Sequence, residues 1–473
     1  MRKRTFTILL ILAAVPVVLG LLYAVAVAIS TAKLRQAYAA LEADGRPVHV
    51  DAVIPPAVPD TENAAPLYQS AISLLEAEPV GDILESRPGG PLDEMREGHE
   101  HDDVLGYLGD RSVELIEGTI SRVNRRALEA LMSRKAADYA LFAIERGTQR
   151  PACRFPRDYD KGVDLLLPGL NGTRELVRLV GGKAVLEAET GAMDSAWHRA
   201  SVQARLADAL CNEPFLVSQM VRLASIRSSC ETIQRLCGIA PPGAEQQERL
   251  DALLRGFDDV TPLVRAVDGE RLLFGEWLFS QSPERLHQSL RDIGIRRSEM
   301  AEFVARLVTR WLTFKPRLLA DQVDYVRIMH ANAERMEQPC SAAISQEDYG
   351  RFTLTGILVP ALNRIRVIYC TTIAEMRITR AGLALLRYRE DHGAFPSTLD
   401  VLEVNELTDP FTQGLLHYRT EDDGFTVYSV GEDLQDNGGT PKAERRSSDP
   451  HKPRETEHDI SWRFPDQTPR AVE

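Results

Sequence analysis

Phe6-Thr7-Ile8-Leu9-Leu10-Ile11-Leu12-Ala13-Ala14-Val15-Pro16-Val17-Val18-Leu19-Gly20-Leu21-Leu22-Tyr23-Ala24-Val25-Ala26-Val27-Ala28-Ile29 is a run of 24 residues without a charged side chain, and its reading sets the architecture. As a helix it is roughly 36 Å long at about 1.5 Å per residue, enough to cross a hydrocarbon core of ~30 Å with some tilt. A helix is required there because the bilayer core offers the backbone no water to bond. Two rival readings are weaker. A cleaved signal peptide would find small-x-small sites at Ala24-Val25-Ala26 and Ala26-Val27-Ala28, but its apolar stretch runs only about 7–15 residues. A buried core helix of this length would carry a polar face. Arg2, Lys3 and Arg4 put the N-terminus in the cytoplasm by the positive-inside tendency, with Lys33 and Arg35 softening the contrast. The expectation is a cytoplasmic tail at 1–5, one transmembrane helix at 6–29, and the bulk of the chain outside the cytoplasm, anchored in the cell (inner) membrane.

The remainder of the 473 residues is long enough for two or three domains. Formal charge is −13 and aromatic residues make up 6 %. An acidic, aromatic-poor surface suits neither phosphates nor base stacking, so nucleic acid is not expected as a partner. Cysteines stand at 153, 211, 230, 237, 340 and 370. Their even count permits disulfides in an exported chain, and no close Cys-Cys spacing suggests zinc. Cys230 and Cys237 on one helix would be about 10 Å apart along its axis, beyond disulfide reach. Cys153 and Cys340 sit in proline-flanked loops and are the preferred pair. Buried free thiols suit the other four.

Residues 31–43 read as a helix continuing out of the span, and 31–110 as a helix-and-loop linker region. Asn63 is placed to cap a helix offering Leu67, Ile72, Leu74 and Leu75 for burial. Residues 78–110 are rich in Gly, Pro and acids and read as a loop. From 111 to 357 the pattern is that of an irregular all-helical domain. Its clearest stripe is Met300, Phe303, Val304, Leu307, Val308, Trp311 and Leu312, one apolar face at helical spacing. Ala184, Leu186 and Ala188 before Gly191, with Ala196, Ala200, Ala204 and Leu206 after it, predict a closely packed antiparallel helix pair. The pair is tetratricopeptide-like, but no period of about 34 residues recurs. A last helix over 358–390 has the seam Ala374, Ile378, Ala381, Leu385 and Tyr388, and Gly393 offers a left-handed cap. After it come β-prone runs at 415–419 and 425–430, separated by Asp422-Asp423-Gly424. The fold class is therefore mainly α: a transmembrane helix, an irregular helical domain, a small α+β module at 358–465, and a disordered tail at 466–473.

That module resembles the globular end of the major pseudopilin of type II secretion systems. The carrying residues are Arg387-Tyr388-Arg389-Glu390-Asp391-His392-Gly393-Ala394-Phe395-Pro396-Ser397-Thr398-Leu399, then Asp409-Pro410-Phe411, Leu416-His417-Tyr418, Tyr428-Ser429-Val430-Gly431-Glu432-Asp433 and the closing Asp459-Ile460-Ser461-Trp462. The likeness covers only 371–465. No Gly precedes Phe6 and no Glu follows it in the apolar helix, so filament-subunit behaviour is not implied. In the resembled family the loop after the last hairpin binds calcium. The resemblance therefore implies a calcium site from Asp433, Asp436 and Asp459, with a carbonyl from Leu434. Calcium takes oxygen ligands on a flexible loop; the alternative is a solvated acidic turn.

Other chemistry is sparse. His99-Glu100-His101-Asp102-Asp103 gathers ligand-type residues but reads as a solvated acidic loop. No HExxH, GxSxG, phosphate-binding or dinucleotide-binding glycine pattern occurs. The leading expectation is a non-enzymatic structural or interaction protein of the cell envelope with envelope protein partners. The alternatives are an envelope hydrolase with a cleft in the helical domain, and an accessory subunit of a secretion or pseudopilus-type system. Convergent, pKa-perturbed carboxylates in a concave pocket would favour the hydrolase.

Overall fold

The computed structural model describes residues 2–78, 104–165, 167–282, 285–286, 288, 314–340, 354–359, 362–402, 404, 407–421, 423–440 and 459–465. The stripe at 300–312, the histidine-acid run at 99–103 and the tail at 466–473 lie outside the described residues.

α1 (Arg2–Ala43) is one unbroken helix with Pro16 inside it. It is long and apolar enough to cross a membrane, and the apolar window within Ala14–Ala43 has none of its residues buried. Its distal end differs. Ala37 and Leu41 are buried against Val326, with Leu34, Tyr38 and Val48 packed around them. Val326 belongs to α12 (Lys315–Glu337), which runs beside α1 in the same sense. Tyr23 meets Phe314 near one end, Gln322 donates to Tyr38 midway, and His330 reaches Asp44 at the other.

The helical body contains α2 (Ala65–Glu76), α3 (Val104–Glu117), α4 (Arg122–Met132), α5 (Lys135–Thr148), α6 (Leu170–Glu189), α7 (Met193–Ala207), α8 (Leu216–Cys237), α9 (Ala244–Arg255) and α10 (Thr261–Gly269). α10 continues as a π-helical turn over Glu270–Glu276 and ends in the short α11 (Trp277–Phe279). At the start of α2, Asn63 Oδ1 accepts from the backbone amides of Ala65 at 3.1 Å and Arg154 at 2.8 Å. Ile72 and Leu75 are buried as their spacing predicts, whereas Leu74 is exposed. α6 is central and packs against α3, α7 and α8. The α6–α7 pair is the expected one: Gly191 turns it at φ +86°, and Ala184, Ala188, Ala196, Ala200 and Ala204 are buried.

Two expectations are corrected. The loop read over 78–110 gives way to helix at Val104, where Val104, Leu105, Tyr107 and Leu108 enter the core. Gly109, which looked like a loop residue, serves packing: a Cβ there would lie 1.9 Å from Glu175 Oε2 of α6. The Cys153–Cys340 pairing is also wrong. Cys340 is bonded to Cys370, with Cα atoms 5.9 Å apart, while Cys153 is a free thiol. The segment around Cys153 is tied to the start of α2 by the Asn63–Ala152 bridge and the Asn63–Arg154 bonds. Cys340 instead lies just beyond the end of α12, where it reaches Cys370 of α14 (Leu362–His392).

Besides these, α13 (Leu354–Leu358) is described, and α14 carries the last module. Gly393 ends α14 at φ +80°, as its cap position requires. β1 (His417–Glu421), β2 (Gly424–Ser429) and β3 (Ile460–Phe464) form an antiparallel sheet in the order β1-β2-β3. Val427 is the register point, opposite Tyr418 on one side and Trp462 on the other. The sheet lies on α14, and Phe395, Phe425, Trp462 and Phe464 pack against one another in edge and stacked ring contacts 5.3–6.5 Å between centroids. Trp462 can come so close because Gly382 has no side chain; a Cβ there would be 1.8 Å from its ring. α14 also packs against α8 and α9, so sheet, long helix and helical body share one contiguous core.

Candidate functional site

The loop 431–439 is folded by carboxylates that accept from backbone amides. Asp409 anchors its entry: the side chain is fully buried and accepts from Phe411 N, Ser429 Oγ and Val430 N at 2.8, 2.9 and 3.1 Å. Asp459, also buried, returns from β3 to accept from Asn437 N and Gly439 N at 3.3 and 2.6 Å. Asp436 accepts from Gly438 N at 2.9 Å and Tyr428 Oη at 3.0 Å. The Gly438 amide above all holds its carboxyl below the usual range, against desolvation, with the Tyr428 hydroxyl and the His417 and Arg419 charges adding lesser support. Asp433 Oδ1 accepts from Gln435 N at 3.0 Å, while its Oδ2 is shielded from solvent and has no partner. Leu434 takes a left-handed backbone at φ +59°, an uncommon state for a side chain of its size. Asp459 therefore does return to the loop, as the closing motif implies. Asp433, Asp436 and Asp459 are nevertheless not a set that brings three ligand atoms within 4.8 Å of one another among the described residues.

Sequence reasoning quoted Asp409 only as part of a motif and did not foresee its role. The signal was present: an acid between apolar runs, before a proline, in a chain whose other loop acids cluster elsewhere.

A second polar cluster sits where the distal end of α1 enters the body. Arg271 of the π-helical turn is fully buried and donates to Glu276 and to the carbonyl of Pro47. Asp268 lies 3.6 Å from it and 3.7 Å from Arg46, which also pairs with Glu337 at 2.7 Å. Burial raises the carboxyls of Asp268 and Glu276, with the Arg271 charge opposing in both. Glu270 is pushed up to about 7 by desolvation, weakly opposed by the Leu216 amide. Gly275 lies under Tyr325, where a Cβ would meet the ring hydroxyl at 2.0 Å. Charges from the segment after α1, from α10 and from the π turn thus satisfy one another largely out of water, with the half-exposed Glu337 of α12 joining at the edge.

Known proteins offer no guide to either cluster: no family model, no curated protein and no solved structure matches the chain.

A third group answers the question of paired carboxylates. Arg227 and Gln234 of α8 bond Glu375 and Thr379 of α14 at 2.6 and 2.8 Å. Glu231, one turn along α8, is pushed up to about 7 by desolvation and then by the negative charge of Glu375, with Arg227 opposing. Glu375 is raised by desolvation and lowered by Arg227. The pair is perturbed, but Arg227 clamps Glu375, and the arrangement reads as a tie between helices. A surface depression of about 340 Å³ lies elsewhere, lined by Asp138, Phe142, Glu145, Lys183, Glu187 and Arg199. Its charges pair among themselves: Arg199 with Glu145 and Glu187 at 3.2 and 3.7 Å, and Lys183 with Glu187 at 3.9 Å.

Proposed function

We propose that this chain is a membrane-anchored, non-enzymatic structural or interaction protein of the cell envelope, its helical body held outside the cytoplasm. The observation that carries the reading is α1. Its proximal part presents an unburied apolar surface, and its distal turns are locked into the body by Leu41, Arg46 and the Arg271–Pro47 bond. An anchor continuous with the core orients the body relative to the bilayer, which suits a scaffold better than a loosely tethered enzyme. Arg2, Lys3 and Arg4 support a cytoplasmic N-terminus. The protein is expected in the membrane fraction after carbonate washing. Recovery of a soluble chain beginning near residue 29 or 31 would overturn the anchor.

The capped α14, the antiparallel sheet and the Asp459 return support a pseudopilin-like end module. The solvent-shielded, unpartnered Asp433 Oδ2 and the left-handed Leu434 favour calcium in its loop, with Asp433, Leu434, Asp436 and Asp459 as ligands. Calcium binding only the folded state stabilises it by about 2.7 kcal/mol at a hundredfold excess over Kd. The full chain in detergent should melt higher with calcium, far less so with magnesium, and not at all after Asp433→Ala. An unchanged wild-type melting curve in millimolar calcium would reduce the loop to an acidic turn.

A further inference from the structure

At the far end of the α1–α12 pair, His330 Nε2 lies 3.0 Å from Asp44 Oδ2 and 3.7 Å from Glu334 Oε1. The three ligand atoms all fall within 4.8 Å of one another. His330 and Glu334 are one turn apart on α12 and therefore share a face; Asp44 follows directly on α1. The imidazole is largely buried, at 15 % exposure, while both carboxylates remain half exposed at 53 %. Nε2 itself is shielded from solvent and makes no hydrogen bond. Asp44 Oδ2 is close enough for one but lies off the direction in which the ring nitrogen points, and Glu334 Oε1 is too distant.

We propose that Asp44, His330 and Glu334 bind a divalent transition metal, zinc by their donor set, which fastens the end of α1 to α12. Donor atoms held tetrahedrally at about 2.0–2.2 Å from zinc lie roughly 3.3–3.6 Å apart. The 3.0 and 3.7 Å separations bracket that spacing. One nitrogen and two carboxylates suit zinc, and a ring nitrogen disfavours calcium and magnesium, which take oxygen ligands. Two carboxylates with a neutral imidazole balance the ion's charge. Without an ion, Asp44 and Glu334 repel each other beside an imidazole whose solvent-shielded Nε2 makes no hydrogen bond. Nearby Arg46 does not oppose the ion strongly, because Asp268 and Glu337 already pair with it. Solvent can complete the coordination through the half-exposed carboxylate side.

The test uses the full chain in detergent, stripped with a chelator and then titrated with zinc chloride. A hundredfold excess over Kd should raise the melting temperature by roughly 5 °C. Zinc should also slow hydrogen exchange over residues 40–50, which a metal held by distant thiols would not do. His330→Gln, Asp44→Asn and Glu334→Gln should each abolish both effects. The two carboxylate variants remove a repulsion at an exposed position, so without metal they should melt no lower than wild type, which separates lost binding from lost folding. Zinc effects that survive all three substitutions would place the ion elsewhere and overturn the proposal. So would the absence of any zinc effect, or, in a chain carrying Asp433→Ala to silence the loop, equal shifts with magnesium or calcium.

Discussion

The sheet module and the junction at the distal end of α1 both bury carboxylates, and they satisfy them in opposite ways. In the module, Asp409 and Asp459 accept from backbone amides of their own loop or of the adjacent strand end. At the junction, Asp268 and Glu276 face Arg271 and Arg46, which come from segments far apart in the chain. Backbone donors arrive with the turn that needs them. At the junction Arg271 lies close in sequence to both acids but Arg46 must be brought in by the whole fold, and each charge is costly to bury if its partner is removed. The module should therefore be sensitive to shape and the junction to charge.

The largest effect is expected from Arg271→Leu. It leaves Asp268 and Glu276 buried without their shared cation, a loss of about 3–5 kcal/mol in the denaturation of the full chain. Neutralising the acids as well, with Asp268→Asn and Glu276→Gln, should recover much of that loss, because the cost lies in the uncompensated charges. A loss below about 1 kcal/mol for the single variant would mean that the junction is held by packing alone, and the contrast with the module would collapse.

A charge-neutral change should be the damaging one in the module. Gly382→Ala drives a methyl into the Trp462 ring, and overpacking of this kind costs about 1–3 kcal/mol. Trp462→Phe in the same chain removes the ring atoms in the way, so the double variant should lose less than the two single losses added together. Strict additivity would place the strain somewhere other than the Gly382–Trp462 contact.

The two regions were also unequally legible in the sequence. Local patterns carried much of the module: the seam of α14, the Gly393 cap and two β-prone runs fall close to where the pattern puts them, while the closing Asp459-Ile460-Ser461-Trp462 was reached only through the resemblance. The apolar α1 and the Gly191 helix pair were readable for the same reason, since period and punctuation lie within one stretch. The junction was not. Nothing near Arg271 in the sequence announces that Pro47 will meet it or that Arg46 will meet Asp268, and a charged residue at helical spacing looks like a solvated face until the fold buries it. α3 was misread because Gly106 and Gly109 punctuate a loop as readily as they permit close helix packing. The Cys340–Cys370 bond failed on the same ground, as loop context says nothing about which thiols converge. Of the expected ion site, the Asp459 return was legible, but the mutual distances of its carboxylates were not.

The smallest expected effect distinguishes the regions by the sign of their pH dependence. Glu270, on the π turn beside the junction, has its carboxyl raised to about 7 by desolvation, against roughly 4.3 in an unfolded chain. Between those values the folded state binds more protons than the unfolded one, so this group's contribution is full below the lower value and is lost as pH rises through about 7. Asp436 in the module loop is shifted the other way, its carboxylate stabilised first by the Gly438 amide. Its contribution is present above the ordinary carboxylate range and is lost as pH falls through its lowered value. Glu270→Gln should therefore stabilise the full chain at pH 7 and much less at pH 5. Asp436→Asn should destabilise it slightly at pH 7 and converge on wild type in acid. Unfolding midpoints of the two variants across this range would test the pair together. If Glu270→Gln destabilises at pH 7, the ionised carboxylate has a stronger partner in the fold than the Leu216 amide, and the junction satisfies its acids more completely than its geometry implies.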